Sequence, residues 1–235
     1  MAEHRHVSRI DNHFDEASGT WVGILRVAPI SLRVGVILGE AVQQYRSALD
    51  HLAYQLAILR TPNAGGPNFP IYTNRTIYTT PTGSKRESPR DRYRAIFRPD
   101  DLTLIEGVQP YNASRPNVAP LALLQQFSNL DKHETIHIGY TRIRQLQIIP
   151  EDKRVEIEVV SVNLPNTPIE DGTEVVRFRA TVAEPYVEVE VEIAIRVGTY
   201  FGTKPVAGLS MFKRLAVEVV GIVDQFEQAV PEWRS

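Results

Sequence analysis

The sequence predicts an α+β protein: a helical core around one long central helix, a largely antiparallel sheet of about four strands in the C-terminal half, and a C-terminal helix. Three observations carry that expectation. Residues 33–60 place Val36, Leu38, Val42, Tyr45, Leu49, Leu52, Leu56 and Leu59 in a broad apolar stripe with no proline before Pro62. Residues 187–197 alternate, with Val187, Val189, Val191, Ile193, Ile195 and Val197 on one face and Glu188, Glu190, Glu192 and Arg196 on the other. Leu209, Phe212, Leu215, Val219, Ile222, Val223 and Phe226 recur at helical spacing near the C-terminus.

Taken from the N-terminus, Ile10, Phe14, Ala17, Trp21 and Leu25 recur at three to four, which predicts a helix over 10–28 interrupted by Gly19. The long helix over 33–60 follows, with Glu40, Arg46, Asp50 and Gln55 on its less apolar side. Residues 61–98 are rich in Pro, Gly, Ser and Thr and read either as a draped functional loop or as a segment with short strands near Phe69-Pro70-Ile71 and Thr76–Tyr78. Asp100 or Asp101 can cap a short helix ending near Gly107. Pro120 opens another helix through Leu121, Leu124, Phe127 and Leu130, expected to run on to 138. Over 141–198 the pattern turns to strands: 142–149 and 155–162 joined by a hairpin turn at 150–153, then 174–182 and 187–197. An antiparallel meander with one wet face is the arrangement this favours. Helices at 10–28, 33–60, 120–138 and 208–230 would pack with that sheet in a single compact domain over 1–235.

Composition narrows the function classes. The chain has no cysteine, which excludes thiolate metal sites, thiol nucleophiles and a disulfide framework. Lys+Arg 26 against Asp+Glu 28 leaves a formal charge of -2, so no global field draws it to nucleic acid or membrane. The opening residues are polar, and no apolar run approaches the roughly 20 residues of a membrane span. A cytoplasmic location, no membrane and no cofactor are the expectations. Locally the balance differs. Lys85, Arg86, Arg90, Arg92, Arg94 and Arg98 stand against Glu87 and Asp91, either a loop laced to acidic neighbours or a patch that contacts phosphate.

Two constellations could carry chemistry. In Tyr45-Arg46-Ser47-Ala48-Leu49-Asp50-His51, Arg46 and Asp50 are four apart and can pair on a helix. The same residues could hold a phosphate on the Arg46 fork while His51 moves a proton, with Ser47, Asp50 and Tyr54 in support. Attack of a ribose 2'-hydroxyl on its phosphodiester needs such an acid-base and charge-stabilising set and no metal. The second is Asn129 to His137, where Asn129, Lys132 and His133 would join the same polar cleft. His133-Glu134-Thr135-Ile136-His137 also fits His-Glu-x-x-His, which resembles the zincin motif. A zinc hydrolase using His51, His133 and His137, with Glu134 as base, is therefore an alternative.

Arg46-x4-His51 resembles the Arg-x(4-6)-His motif of HEPN domains, helical domains found in metal-independent ribonucleases and in inactive binding partners. YRSALDHLAYQLA, the FPI at Phe69 to Ile71, the QPY at Gln109 to Tyr111 and the NLDKH at Asn129 to His133 together are similar to an abundant family of uncharacterised bacterial proteins. The HEPN resemblance implies a homodimer with Arg46 and His51 near their symmetry mates, and RNA as substrate or partner. Three functions thus stand at this point: an RNA-cleaving or RNA-binding protein, a non-catalytic interaction or regulatory protein, and a His-ligated zinc hydrolase.

Overall fold

The computed structural model describes residues 8–62, 65–81, 83, 85–131, 137–150, 155–164, 169–181, 185–196, 207–208 and 210–233. They belong to two compact units, where the sequence reading takes one domain: residues 1–34 with 137–209, and residues 35–136 with 210–235. The protein is α+β, but the expected placement of its sheet in the C-terminal half is wrong.

The first unit is built from strands. A sheet of order β1-β2-β5-β4 takes β1 (Ser8–Asp15) and β2 (Thr20–Val27) from the N-terminus, and β4 (Ile157–Val162) and β5 (Thr173–Ala180) from the later half. A second sheet has the order β3-β6-β7, from β3 (His137–Ile149), β6 (Tyr186–Arg196) and β7 (Ala207–Gly208). All the pairings within these sheets are antiparallel. Leu25, Val175, Val176 and Phe178 from the first sheet bury together with Tyr140 from the second and Ile169, leaving one shared core.

The helix expected over 10–28 is therefore a hairpin. Its three-to-four spacing is real, but residues 20–27 read Thr-Trp-Val-Gly-Ile-Leu-Arg-Val, a β-branched and aromatic run that prefers a pleated surface. The turn supplies the rest. Gly19 adopts φ 62, and its N–H donates to the Asp15 carbonyl at 2.9 Å. The Ser18 hydroxyl donates to Asp15 Oδ2 at 2.7 Å, fastening the loop to the strand end. Phe14 then faces Trp21 across the ladder, with ring centroids 5.4 Å apart.

The expected hairpin about 150–153 is also corrected, since β3 pairs with β6 while β4 pairs with β5. Both strands were legible, yet period-two alternation says which face of a strand is apolar and not which neighbour it bonds. Residues 151–154 lie outside the described residues. The meander is replaced by two sheets.

The second unit is helical. It contains α1 (Leu32–Arg60), α2 (Arg75–Thr79), α3 (Pro89–Ile96), α4 (Pro99–Gly107), α5 (Pro120–Asp131) and α6 (Ser210–Ala229). Along α1 the buried positions include Gly35, Gly39, Val42, Arg46, Leu49, Ala53 and Leu56, a stripe with three-to-four spacing. Arg46 belongs to it, contrary to its expected place on the polar side, while Val36 is 55% exposed. α6 returns to this unit, and its Phe212 stacks on Phe127 of α5 with centroids 5.8 Å apart.

Residues 61–98 are less loop-like than composition suggests. Thr76 to Tyr78 lie in α2, whose first turn is capped by Asn74 accepting from the Ile77 N–H, not in a strand. Ser88 opens α3 with a capping box to Asp91, and Pro89 occupies the first turn. Among the described residues, no helix is long and apolar enough to cross a membrane.

Gly23 of β2 sits where a Cβ would lie 2.7 Å from Val176 Cγ1. Gly23→Ala is expected to destabilise the protein by about 1–3 kcal/mol, because β2 and β5 must separate to admit the methyl group. Urea denaturation of the variant beside the wild type measures this.

Candidate functional site

The residues singled out on α1 meet an extended segment, Phe69 to Tyr72, that belongs to no strand. Buried backbone N–H and C=O groups need partners, and here side chains supply them. Asp50 Oδ1 accepts from the Phe69 N–H at 2.8 Å, and Arg46 Nη2 donates to the Phe69 carbonyl at 2.9 Å. The two side chains are themselves joined by a fork, Nε to Oδ2 at 3.1 Å and Nη2 to Oδ1 at 2.7 Å. Arg46 Nη1 donates to Gln125 Oε1 on α5 at 3.0 Å. Among the described residues, four of the five guanidinium hydrogens thus have a partner.

Gln109 continues the clamp. Its amide nitrogen donates to the carbonyls of Pro70 at 2.8 Å and Ile105 at 3.0 Å, and its oxygen accepts from the Tyr72 N–H at 2.9 Å. The Tyr111 N–H reaches the Tyr72 carbonyl at 3.2 Å. Gln109 is 2% exposed, so this amide acts as a piece of buried backbone would. Sequence reasoning quoted the Gln-Pro-Tyr motif and gave its glutamine no role; a polar residue between two apolar helices was the available signal.

The other expected site residues that the structure describes do not join the clamp directly. His51 lies five residues after Arg46, roughly 140° around the helix axis, and is exposed with Ser47 and Tyr54. Arg46 and His51 therefore share no face on one helix. Asn129 is exposed and accepts from Gln125 Nε2 at 3.1 Å, so it reaches the clamp through Gln125. Lys132, His133 and Glu134 lie outside the described residues. His137 is the first residue of β3, paired with Arg196, so the expected helix to 138 is corrected. His137 is therefore in a strand, whereas the zincin-like reading puts it on a helix. Among the described residues, no three His, Asp or Glu side chains gather in a manner that could hold a metal ion.

The basic segment divides into paired and unpaired cations. Arg90 forks Glu106, with Nε at 2.5 Å and Nη2 at 2.9 Å, and that hydrogen bond chiefly raises its pKa. Arg98 grips Asp101 at 2.7 Å and Glu232 at 2.5 Å, which raises its pKa also. Arg94 lies 3.4 Å from Asp91, whose carboxyl is held below its ordinary range first by the Ser88 hydroxyl. Arg60, which the sequence reading did not single out, donates to the carbonyls of Arg94 and Phe97 at the end of α3. Arg60, Arg90 and Arg94 line one concavity of about 390 Å³ with Phe97, Leu102 and Glu106.

Between the clamp and this concavity lie four tyrosines. Tyr78 is 1% exposed, with Tyr72 at 4.9 Å, Tyr111 at 5.9 Å and Tyr93 at 6.4 Å between ring centroids. The Arg75 guanidinium sits 5.8 Å from the Tyr111 centroid. Burial, then the Glu106 carboxylate, pushes the Tyr78 phenol up, and burial with the Tyr72 neighbour pushes Tyr93 up to about 12.

Compared with known proteins, the chain matches no family model, no curated protein and no solved structure.

Two outcomes follow from this geometry. Asp50→Ala is expected to destabilise the chain by about 3 kcal/mol, since it strands a buried guanidinium, whereas exposed His51→Ala should stay within about 0.5 kcal/mol. Chemical denaturation of both variants decides it. Tyr93 is raised on folding, so its contribution is complete below the unfolded value of 10.0 and is lost as pH rises towards about 12. Absorbance titration of tyrosinate should show a late-ionising fraction in the native protein that merges with the rest after denaturation.

Proposed function

We propose that this chain is an RNA-binding protein that does not cleave its partner, and that its second unit holds the phosphate backbone around α3. The observation that carries this is a charge imbalance. Arg60, Arg75, Lys85, Arg86 and Arg92 are all exposed and have no carboxylate partner among the described residues, while Glu87 and Asp91 are the exposed acids within their run and Asp91 lies against Arg94. Compensation by Glu106, Asp101 and Glu232 reaches Arg90 and Arg98 and stops there. Cations that no carboxylate neutralises can pair with phosphates and release counterions, the principal source of sequence-independent affinity. Exposed arginine beside tyrosine is also a combination that suits single-stranded nucleic acid.

The non-cleaving part of the reading follows from Arg46. A guanidinium committed to Asp50, Phe69 and Gln125 cannot also fork a scissile phosphate without stranding buried groups. His51, around the helix from it, lacks that partner.

A second reading, a non-catalytic protein-interaction module that pairs with its own copy, draws on β4. This edge strand of the four-stranded sheet exposes Val159 by 52%, Val160 by 45% and Val162 by 48%. An edge with open backbone groups and exposed valines is a template for strand addition. A dimer in sedimentation that Val160→Lys converts to monomer would favour it.

The RNA reading is tested by fluorescence anisotropy with a labelled single-stranded RNA in excess EDTA, followed by gel analysis of the same samples. Wild type should bind, leave the strand intact, and weaken as salt rises. Replacing Lys85, Arg86 and Arg92 by alanine should make that salt dependence shallower by about three phosphate contacts. Absence of binding at low salt, or cleavage that disappears in His51→Ala, would sink the proposal.

A further inference from the structure

A second concavity, of about 250 Å³, lies beside the clamp and is lined by Ile71, Tyr72, Asn74, Asn117, Gln125 and Gln126, together with Thr73, Ile77 and Ala122. We propose that it is a nucleobase pocket; this rests on the RNA-binding reading and names what that site would read.

Among the described residues the lining contains no charged side chain, although Arg75 directly follows Asn74 in sequence. A phosphate or carboxylate entering it would leave water without a countercharge, so the occupant is neutral. Its volume lies below the roughly 300–1,000 Å³ of drug-sized sites, which suits one ring system and not a whole nucleotide. Polar and apolar groups are mixed in the way a base requires. Ile71, Ile77 and Ala122 offer apolar contact, and Tyr72, whose ring lies 4.9 Å from that of Tyr78, adds an aromatic residue to the lining.

The amides divide by availability. Gln125 is spent, accepting from Arg46 and donating to Asn129. Asn74 uses its oxygen to cap α2, which leaves its NH2 as donor. Gln126 makes one long bond, Nε2 to the Asn117 carbonyl at 3.4 Å, which leaves its oxygen as acceptor. Asn117 is exposed, and its side chain forms no hydrogen bond among the described residues. Donor and acceptor amides side by side match the edge of an unpaired base, which presents both.

The pocket is also next to a phosphate contact. Arg75 follows Asn74 directly and rests on the Tyr111 ring, so a nucleotide whose base enters would carry its phosphate towards an exposed guanidinium. Gln125 ties the pocket wall to Arg46. The buried clamp is thus what holds one side of the pocket in shape.

Two measurements on the full chain test this. Saturation-transfer NMR with free adenosine, guanosine, cytidine and uridine should show transfer to the base protons of at least one nucleoside, lost in Gln126→Ala and in Asn117→Ala. No transfer from any nucleoside, or transfer unchanged in both variants, would overturn the pocket whatever the backbone does. Anisotropy with equal-length single strands, one bearing bases and one abasic, should show wild type preferring the first by on the order of tenfold. Gln126→Ala should erase that preference and leave abasic binding as it was. Equal affinity for the two strands in wild type would likewise overturn the pocket while sparing the backbone reading. Failure of both strands to bind, with nucleoside transfer retained, would instead remove the backbone reading and keep the pocket.

Discussion

The helical unit depends on how one extended segment, Phe69 to Tyr72, is satisfied without a sheet. Asp50 and Arg46 pair with the Phe69 amide as a neighbouring strand would, and Gln109 does the same for Pro70 and Tyr72. A proline in that segment makes side-chain partners the more suitable, because Pro70 has no N–H to give a ladder. Once Phe69 is held against α1, Phe69 itself becomes core, at 1% exposed. The segment then delivers Tyr72 and α2 to their places beside α4 and Tyr111.

This arrangement constrains the chemistry as much as the fold. An Arg-Asp pair out of water contributes little net stability, since desolvation offsets much of its attraction. What it provides is geometry. Each partner has one arrangement that satisfies the buried carbonyl, the buried amide and the other charge together, so the register of α1, Phe69 and α5 is specified. A group with that duty is poorly suited to leave it for substrate. Outside the clamp, Arg75, Lys85, Arg86 and Arg92 have no carboxylate partner among the described residues, so the basic run around α3 keeps more cations than its acidic neighbours neutralise.

Some of this was legible in particular residues. The stripe through Val42, Leu49 and Leu56, and that through Phe212, Leu215 and Val219, are long enough to outvote every alternative period. The strict alternation from Val187 onward names β6 unaided. Ile10 to Leu25 was misread because five apolar residues over two short strands satisfy a helical spacing by accident. Gly19 was seen there and taken as an interruption, when its left-handed backbone is what turns the chain. His137 was misread in the other direction, as part of the helix from Pro120, because a motif of two histidines does not say where a strand begins.

Local pattern by itself determined that this chain has a long buried-face helix, a closing amphipathic helix, alternating strands and a basic segment, because each is a periodicity or composition confined to neighbours in sequence. Tertiary structure alone decided that β2 bonds β5, that β3 bonds β6, and that Arg46 faces inward to Phe69 and Gln125. Those are partnerships between distant segments. The same arginine would be a phosphate fork on an open face and is a clamp on a closed one; spacing cannot tell them apart, and the buried carbonyl at its end does.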